Sequence, residues 1–221
     1  MFSFILCYTM PCEVNNKMKL KELVDIKIGL SLERKKATPA SMHLIEYKAL
    51  TLKSFLNLTN WDELCCENFI ADKKIGVQHL TKINDVIVRT RSPNYALHIN
   101  DKNTGLVVSS IMAVITNIFP NVLNSKYLAY YLNSGQIQNQ LTKNIQGTSI
   151  PMIKVSNLLD LDITLPSLTE QSKIVEYLTV ANYEIDLLHQ LICEKDKLKQ
   201  EVFETLITRH AKVTAIQGKT Q

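Results

Sequence analysis

The feature that most constrains this chain is a run of about forty residues near its C-terminus with the spacing of a long amphipathic helix. Pro166 ends an apolar segment, and Ser167 and Glu170 then form the S-x-x-E pattern of a helix-capping box. Apolar residues follow in alternating steps of four and three, at Ile174, Leu178, Ala181, Ile185, Leu188 and Ile192. This spacing is typical of a coiled-coil heptad. The sequence therefore predicts a helix over residues 169–210 and a flexible tail over residues 211–221.

Two charged residues interrupt the apolar pattern of this helix. Lys195 and Lys199 stand where apolar residues are expected, and the sequence predicts that the pattern then resumes in a shifted register at Leu198, Val202 and Leu206. We call these three residues and the six apolar residues before the lysines the apolar stripe. The stripe is the predicted dimerisation and subunit interface.

The length of the predicted helix bears on what covers the stripe. Some forty residues extend roughly 60 Å at about 1.5 Å per residue, whereas a domain of about 150 residues has a diameter of roughly 40 Å. One interpretation is a helix that folds back across its own domain. The other is a helix that extends past the domain and needs a partner helix, because large exposed apolar surfaces are rare in monomeric proteins. The length favours the partner helix.

The residues before the helix read as a globular α/β domain with a mixed sheet, over residues 18–168. The clearest predicted strand is residues 84–91, and the long apolar run after residue 105 is predicted to bend at Ser109 and Ser110. Ser125 is predicted to cap a helix. Residues 1–17 lack the basic start of a signal peptide and are too short to span a bilayer, so we expect a loosely ordered extension and a cytoplasmic protein.

The charge of the chain is unevenly distributed. The formal net charge is +4, and residues 1–100 carry 14 Lys and Arg against 10 Asp and Glu, whereas residues 169–221 carry 7 against 8. An anionic partner should therefore meet the front of the chain.

The front of the chain offers a set of DNA-binding candidates. Arg89 and Arg91 lie on one face of a predicted strand, followed by Asn94 and Tyr95. Arginine can donate two hydrogen bonds to guanine, asparagine can pair with adenine, and tyrosine can reach a phosphate. Further phosphate contacts are predicted from the polar and basic residues Arg34, Lys35, Lys36, Lys73, Lys74 and Gln78.

Catalytic alternatives have weaker patterns in the sequence. Residues 92–95 read SPNY, which resembles the S/N/D-P-P-Y/F motif of amino-methyltransferases but lacks the second proline, and the chain has no glycine-rich cofactor loop. Asp25, Glu33 and Lys35 could form a Mg²⁺-dependent nuclease site. The five cysteines have no metal-ligand spacing. We therefore predict no catalytic residue, no metal and no cofactor on this chain.

Several segments together resemble the specificity subunits of type I restriction–modification systems. The segment INDVIVRTRSPNYAL resembles that family's G-D-I-L-V-x-R-x-G strand and loop, with Asn84 and Ser92 where glycines are usual. NSKYLAYYLNS resembles the helix that follows the family's central strands. The strongest match is QGTSIPMIKVSNLLDLDITLPSLTEQSKIVEYL, with its G-T/S and L-P-x-L-x-E-Q signatures. This match adds Thr148 and Ser149 to the DNA-binding candidates.

The resemblance implies a target-recognition domain that reads double-stranded DNA, followed by a spacer helix. Such subunits usually carry two recognition domains and two helices that pair antiparallel, whereas this chain has one of each. The resemblance therefore implies that this chain is a half-subunit, which homodimerises through the helix and reads a bipartite site. The implied partners are modification subunits, which use S-adenosylmethionine for DNA methylation, and restriction subunits, which use ATP. The alternatives are a small nuclease, or a decoy that binds modification subunits without reading DNA.

Overall fold

The computed structural model of the chain describes residues 16–38, 44–62, 64–143 and 152–217, with the backbone alone for residue 16 and residues 209–217. The chain divides into two compact units, Met1–Tyr177 and Leu178–Gln221. We call them the N-terminal unit and the C-terminal unit and describe each by itself.

The described part of the N-terminal unit contains nine β-strands in three sheets. The strands are β1 (Asn16–Lys19), β2 (Asp25–Ile28), β3 (Ile45–Leu50), β4 (Cys66–Ala71), β5 (Val86–Arg89), β6 (Ala96–His98), β7 (Val107–Val108), β8 (Met112–Thr116) and β9 (Asp162–Leu165). The sheet orders are β1-β9, β2-β8-β5-β6 and β4-β3-β7.

The four-stranded sheet forms the centre of the core. Its strands pair antiparallel throughout, and every residue of β8 is buried. Continuous apolar runs such as these are typical of strands that are covered on both faces. The strand predicted over residues 84–91 is therefore confirmed in type but is shorter. It starts late because Asn84 adopts a φ of 67°, a left-handed conformation that glycine and asparagine tolerate best.

The three-stranded sheet has β3 at its centre, antiparallel to β4 and parallel to β7. The predicted bend at Ser109 and Ser110 is confirmed, since β7 ends at Val108 and β8 begins at Met112 in a different sheet. This bend lets one apolar run contribute a strand to each of two sheets.

The two-stranded sheet corrects the predicted start of the domain. β1 pairs with β9 from Asn16, opposite Leu165, to Lys19, opposite Asp162. The start therefore moves from residue 18 to residue 16, because the backbone hydrogen bonds of a strand include the two residues assigned to the extension. Residues 1–15 lie outside the described residues.

Two adjacent helices and one short helix complete the N-terminal unit before the long C-terminal helix. They are α1 (Ser125–Asn133), α2 (Gly135–Lys143) and α3 (Val155–Leu159). Asn124, and not the predicted Ser125, caps α1, because its side chain accepts hydrogen bonds from the backbone N–H groups of Lys126 and Tyr127. Asn133 holds α1 against β6 by two hydrogen bonds with the backbone of Ala96, at 2.7 and 2.9 Å.

The last helix, α4 (Leu168–Gln217), begins in the N-terminal unit and forms the described part of the C-terminal unit. Its predicted capping box is confirmed: the backbone N–H of Glu170 donates to Ser167 Oγ, and the Glu170 carboxylate accepts from the backbone N–H of Ser167. The helical backbone continues through residues 211–217 of the predicted tail over residues 211–221, and the flexibility of that tail stays a prediction.

Gln171 fixes the first turn of α4 within the N-terminal unit. Its side chain is fully buried, accepts a hydrogen bond from the backbone N–H of Asn124, and donates to the carbonyl groups of Val122 and Pro166, at 2.8 to 2.9 Å. A buried amide with its donors and acceptor satisfied specifies a single packing arrangement.

The predicted class, an α/β domain with a mixed sheet followed by one long C-terminal helix, is confirmed. Antiparallel pairing of that helix stays a prediction. Among the described residues, no helix combines the length and the apolar character needed to cross a membrane.

Candidate nucleic-acid interface

The predicted arginines lie in the loop that joins the antiparallel strands β5 and β6. We call residues 89–95 the arginine loop. The backbone N–H of Arg89 donates to the carbonyl of Tyr95 at 2.9 Å, and this hydrogen bond closes the loop. Thr90 is buried and binds Ile111 through its N–H and hydroxyl groups, and its carbonyl accepts from the N–H of Ile153 at 2.7 Å. Backbone hydrogen bonds to two other segments, at Ile111 and Ile153, therefore fix the loop in place.

Arg89 and Arg91 have different environments within this loop. The Arg89 guanidinium lies over the ring of Phe55, 5.8 Å from the ring centroid, and its Nε is buried without a hydrogen-bond partner in the structure. Cation–π contact of this kind fixes the orientation of a guanidinium. Arg91 is exposed, and its backbone forms a bridge with Met152. Arg91 is thus the more accessible of the two cations.

Asn94 requires a correction, because the structure places it inside the protein. Only 1% of the residue is exposed, and its side-chain NH₂ donates to the carbonyl of Arg89 at 3.1 Å. Gln138 also donates to the carbonyl of Asn94, at 3.0 Å. Asn94 therefore supports the arginine loop in this conformation and does not present its amide to a base. Tyr95 is half-buried.

The predicted lysines form a second surface, beside the edge strand β4. Lys36 forms a backbone bridge with Ala71, and the N–H of Asp72 donates to the carbonyl of Lys35 at 3.1 Å. These contacts bring two sequence-distant basic segments together. We call the exposed residues Arg34, Lys35, Lys36, Lys73 and Lys74 the lysine cluster.

Gln78 lies in a short 3-10 turn with an exposed side chain. Its carbonyl accepts a hydrogen bond from the side chain of Lys27 on β2. The turn therefore adds a further cation, Lys27, that the sequence analysis did not single out. Thr148 and Ser149 lie outside the described residues.

The arginine loop and the lysine cluster lie near opposite ends of β3. Ala71, which bridges to Lys36, pairs with the first residue of β3, Ile45. Phe55, which packs on Arg89, follows the other end of that strand at Leu50. The strand spans six residues, which is about 17 Å at roughly 3.3 Å per residue. The predicted set is therefore two separate surfaces rather than one.

The structure separates the residues proposed for a nuclease site. Asp25 starts β2, opposite Thr116, and its carboxylate accepts a hydrogen bond from the Asn117 side chain at 2.6 Å. Glu33 follows the far end of that strand, in a 3-10 turn. Within the described ranges, no three His, Cys, Asp or Glu side chains form a group that could hold a metal ion.

A cleft of about 480 Å³ lies apart from both basic surfaces, between the start of α1 and the first turns of α4. His98 lines it, with its Nε2 3.1 Å from Ser125 Oγ. Burial, and secondarily the charge of Lys126, lowers the pKa of His98 to about 4. His98 is therefore neutral at physiological pH and supplies no charge for binding an anion.

The apolar stripe of α4 is exposed along the described C-terminal unit. Ile185 is 42% exposed, Leu188 52% and Ile192 58%, and the stripe residues after the two lysines are also half-exposed. Leu178 and Ala181 are partly covered. Among residues 178–208, none is buried.

Comparison with known families gives a match over most of the chain. Residues 13–194 match the model described as the type I restriction modification DNA specificity domain. The chain belongs to this family. A comparison with curated proteins found no match.

Solved structures of the type I system share the fold of this specificity domain. The HsdS subunit from Thermoanaerobacter tengcongensis aligns with a TM-score of 0.60 at 16% identity, covering 82% of this chain and 45% of that chain. The type I restriction-modification S subunit from M. genitalium aligns with a TM-score of 0.55 at 22% identity, covering 87% and 46%. A chain from a structure of type I restriction-modification complex assembly aligns at 0.57 and 16%, covering 84% and 43%. This specificity-domain chain therefore spans less than half the length of these structures.

Some residues at this surface could not be found from the sequence. Phe55 and Gln138 shape the arginine loop, but they lie 34 and 44 positions from Arg89 and Asn94 respectively. No local pattern marks either contact. Asn84 had a signal, because it stands where the family usually has glycine and it adopts the positive φ that glycine favours.

Proposed function

We propose that this chain is the DNA-recognition half-subunit of a type I restriction–modification complex. Two copies pair antiparallel through α4, and their N-terminal units read the two halves of a palindromic, bipartite site. The dimer delivers modification subunits, which bind S-adenosylmethionine, and restriction subunits, which use ATP, to that site. The chain itself carries out no chemistry.

The observation that carries this proposal is the exposed apolar stripe, on a chain that spans less than half the length of the solved structures it resembles. An isolated helix face that leaves Leu188, Ile192 and Leu206 more than half exposed is unfavourable in water, and a second helix with the same stripe would cover it. Two copies would also restore two recognition units, as the length of the relatives suggests.

The two basic surfaces have separable roles in this proposal. The arginine loop is compact and held by surrounding backbone hydrogen bonds, as direct base reading requires. Arg91 is exposed there and makes the direct contact, while Arg89, fixed over Phe55, supports the loop and reaches DNA with its terminal nitrogens. The lysine cluster consists of exposed, flexible cations and contacts phosphates, which adds affinity without sequence preference.

The experiment is DNA binding by the full-length chain after its site has been selected from a random duplex library. Arg91→Ala should weaken binding to the selected site about tenfold and reduce discrimination at one base pair, because a good bidentate base contact is worth about 1–3 kcal/mol. Lys36→Ala should weaken selected and unrelated duplexes equally and lower the salt slope by about one. Lys21→Ala removes an exposed lysine on the turn after β1 and serves as the matched control, with unchanged affinity.

Three outcomes would contradict the proposal. One is Arg91→Ala binding like Lys21→Ala, which removes the assigned reading role. Another is the absence of any selected sequence, which favours a decoy that binds only modification subunits. The third is cleavage of DNA by the pure chain with Mg²⁺, which favours the nuclease.

A further inference from the structure

The continuity of α4 allows its heptad to be counted across the two lysines. The helix is unbroken from Leu168 to Gln217, so Val202 and Leu206 lie 10 and 14 positions after Ile192. Both distances preserve the heptad phase, because 10 positions are one heptad plus a three-residue step and 14 positions are two heptads. The predicted shift in register is thus wrong for these two residues. Of Leu198, Val202 and Leu206, Leu198 is the one outside the heptad spacing, and the stripe as used below excludes it.

The same counting assigns the lysines to the stripe itself. Lys195 occupies the same heptad position as Leu188 and Val202, and Lys199 the same position as Ile192 and Leu206. From Leu178 to Leu206 the stripe positions are therefore apolar except at these two consecutive lysines, and Arg209 occupies the next stripe position after Leu206. The side chains of both lysines are exposed.

The position of these lysines distinguishes the registers in which two copies could pair antiparallel. If the two-fold axis passes Lys197, Leu188 faces Leu206 of the second copy, Ile192 faces Val202, and Lys195 faces Lys199. If the axis passes Gln190 instead, Lys195 faces Ile185 and Lys199 faces Ala181. Each of these mismatches removes water from an ammonium group against an apolar side chain, which is costly.

We propose that Lys195 and Lys199 select the antiparallel register centred on Lys197, in which each of these two lysines faces the other in the second copy. This inference rests on the homodimer of the proposed function and specifies how its surfaces align. The register places the four lysines in two adjacent solvent-accessible layers, and the layers that flank them pair Leu188 with Leu206 and Ile192 with Val202. Counting along the sequence, Ala181 faces Val213 and Leu178 faces Ile216. Arg209 faces Ile185 in the layer between, where a long arginine side chain can extend to water. This register therefore opposes one cationic position to an apolar residue, whereas the register centred on Gln190 opposes two.

Two neighbouring residues fit the same register. Leu198 lies on the flank of the stripe one position from the axis, so the Leu198 side chains of the two copies lie close together across the pair. This proximity accounts for an apolar residue beside the stripe that is 52% exposed in the single chain. Asp196 binds Lys199 Nζ at 3.2 Å and partly offsets the repulsion among the lysines. Polar residues at core positions of coiled coils commonly fix register at a cost in stability.

Charge reversal at these positions tests the register through the dimer dissociation constant, measured by sedimentation equilibrium of the full chain. Lys195→Glu places a glutamate opposite Lys199 of the second copy, twice per dimer, and should tighten the dimer about tenfold. Lys199→Glu should act in the same direction. The double variant restores four like charges and should return the constant to near the wild-type value.

Lys197→Glu is the matched control, since it makes the same change in net charge on the outer face of the helix and should change the constant little. When wild-type chain is mixed with an equal amount of the double variant, more than half of the dimers should be heterodimers, whereas random pairing gives one half. This comparison is independent of ion pairs that the substituted residues form within their own helix. The register is overturned if Lys195→Glu behaves like Lys197→Glu or weakens the dimer, as a parallel dimer would. A wild-type chain that stays monomeric overturns the homodimer of the proposed function instead, so the two failures are distinguishable.

Discussion

The N-terminal unit and the C-terminal part of α4 contrast in how they treat apolar side chains. In the N-terminal unit, Leu97, Ile87 and Leu128 are fully buried, in a core built from three sheets and three helices. Between residues 178 and 208, by contrast, no side chain is buried, although the helix carries an apolar residue at most stripe positions. One part of the chain covers its own apolar surface, and the other presents it.

This difference shows where each part obtains its stability. The N-terminal unit has long-range strand pairing, buried polar anchors such as Gln171 and a continuous core, so its folding depends on contacts within one chain. The helix after Tyr177 has hydrogen bonds along its own backbone and a few exposed ion pairs, such as Lys197 with Glu194 at 2.6 Å. Exposed ion pairs contribute little, and most helix stability in proteins comes from packing. Burial by a partner is what the helix requires.

The largest expected effect on stability comes from a substitution that leaves a cavity in the N-terminal core. Leu97→Ala removes a fully buried side chain on β6 and should lower the free energy of unfolding of the N-terminal unit by about 3–4 kcal/mol. Urea denaturation followed by the fluorescence of Trp61, the single tryptophan, measures this value. Leu56→Ala, at a residue that is 82% exposed, should change it by less than about 0.5 kcal/mol. Equal effects of the two substitutions would contradict the assigned core.

The stability of the N-terminal unit should depend on pH because of His98. Because its pKa falls from 6.5 to about 4 on folding, the unfolded chain binds a proton before the folded one does. Stability should therefore fall as pH drops from about 6.5 to 4, by about 3 kcal/mol in total. His98→Gln, measured by urea denaturation across this pH range, should remove that component. A variant with the same pH dependence as the wild type would show that His98 is not the cause.

A charge on the apolar stripe should affect association and leave the N-terminal unit unchanged. Ile192→Asp places a carboxylate within the proposed helix pair and should raise the dimer dissociation constant about a hundredfold, or about 2.7 kcal/mol. Sedimentation equilibrium measures the association, and the urea midpoint of the Trp61 signal reports on the fold. Gln190→Asp, at an exposed residue on the opposite side of the helix, is the control. If both variants associate equally well, the stripe is not the interface.

Features that depend on neighbouring residues could be predicted from the sequence. The capping box at Ser167 and Glu170, the bend at Ser109 and Ser110, and the apolar strand β5 each follow from a local pattern, and the structure confirms them. The cap of α1 was harder to predict, because asparagine and serine are both favourable cap residues. The hydrogen bonds of the structure identify Asn124 and not Ser125 as the cap.

The features that the sequence could not predict depend on contacts between distant segments. Asn94 has the chemistry of a base-reading residue, but the Arg89 carbonyl and Gln138 draw it into the interior. The bridge between Lys36 and Ala71 sets the lysine cluster near one end of β3, and nothing in either segment specifies that pairing. The sequence could therefore supply the candidate residues of the interface but not their arrangement, and their role in DNA binding stays a prediction.

The most direct test of the account is the solution mass of the full-length chain across concentration. Sedimentation equilibrium should give twice the chain mass of 25.1 kDa at high concentration, with a dissociation to single chains on dilution. A mass of one chain at every concentration, with the helix after Tyr177 still formed by circular dichroism, would contradict the claim that a second copy covers the apolar stripe.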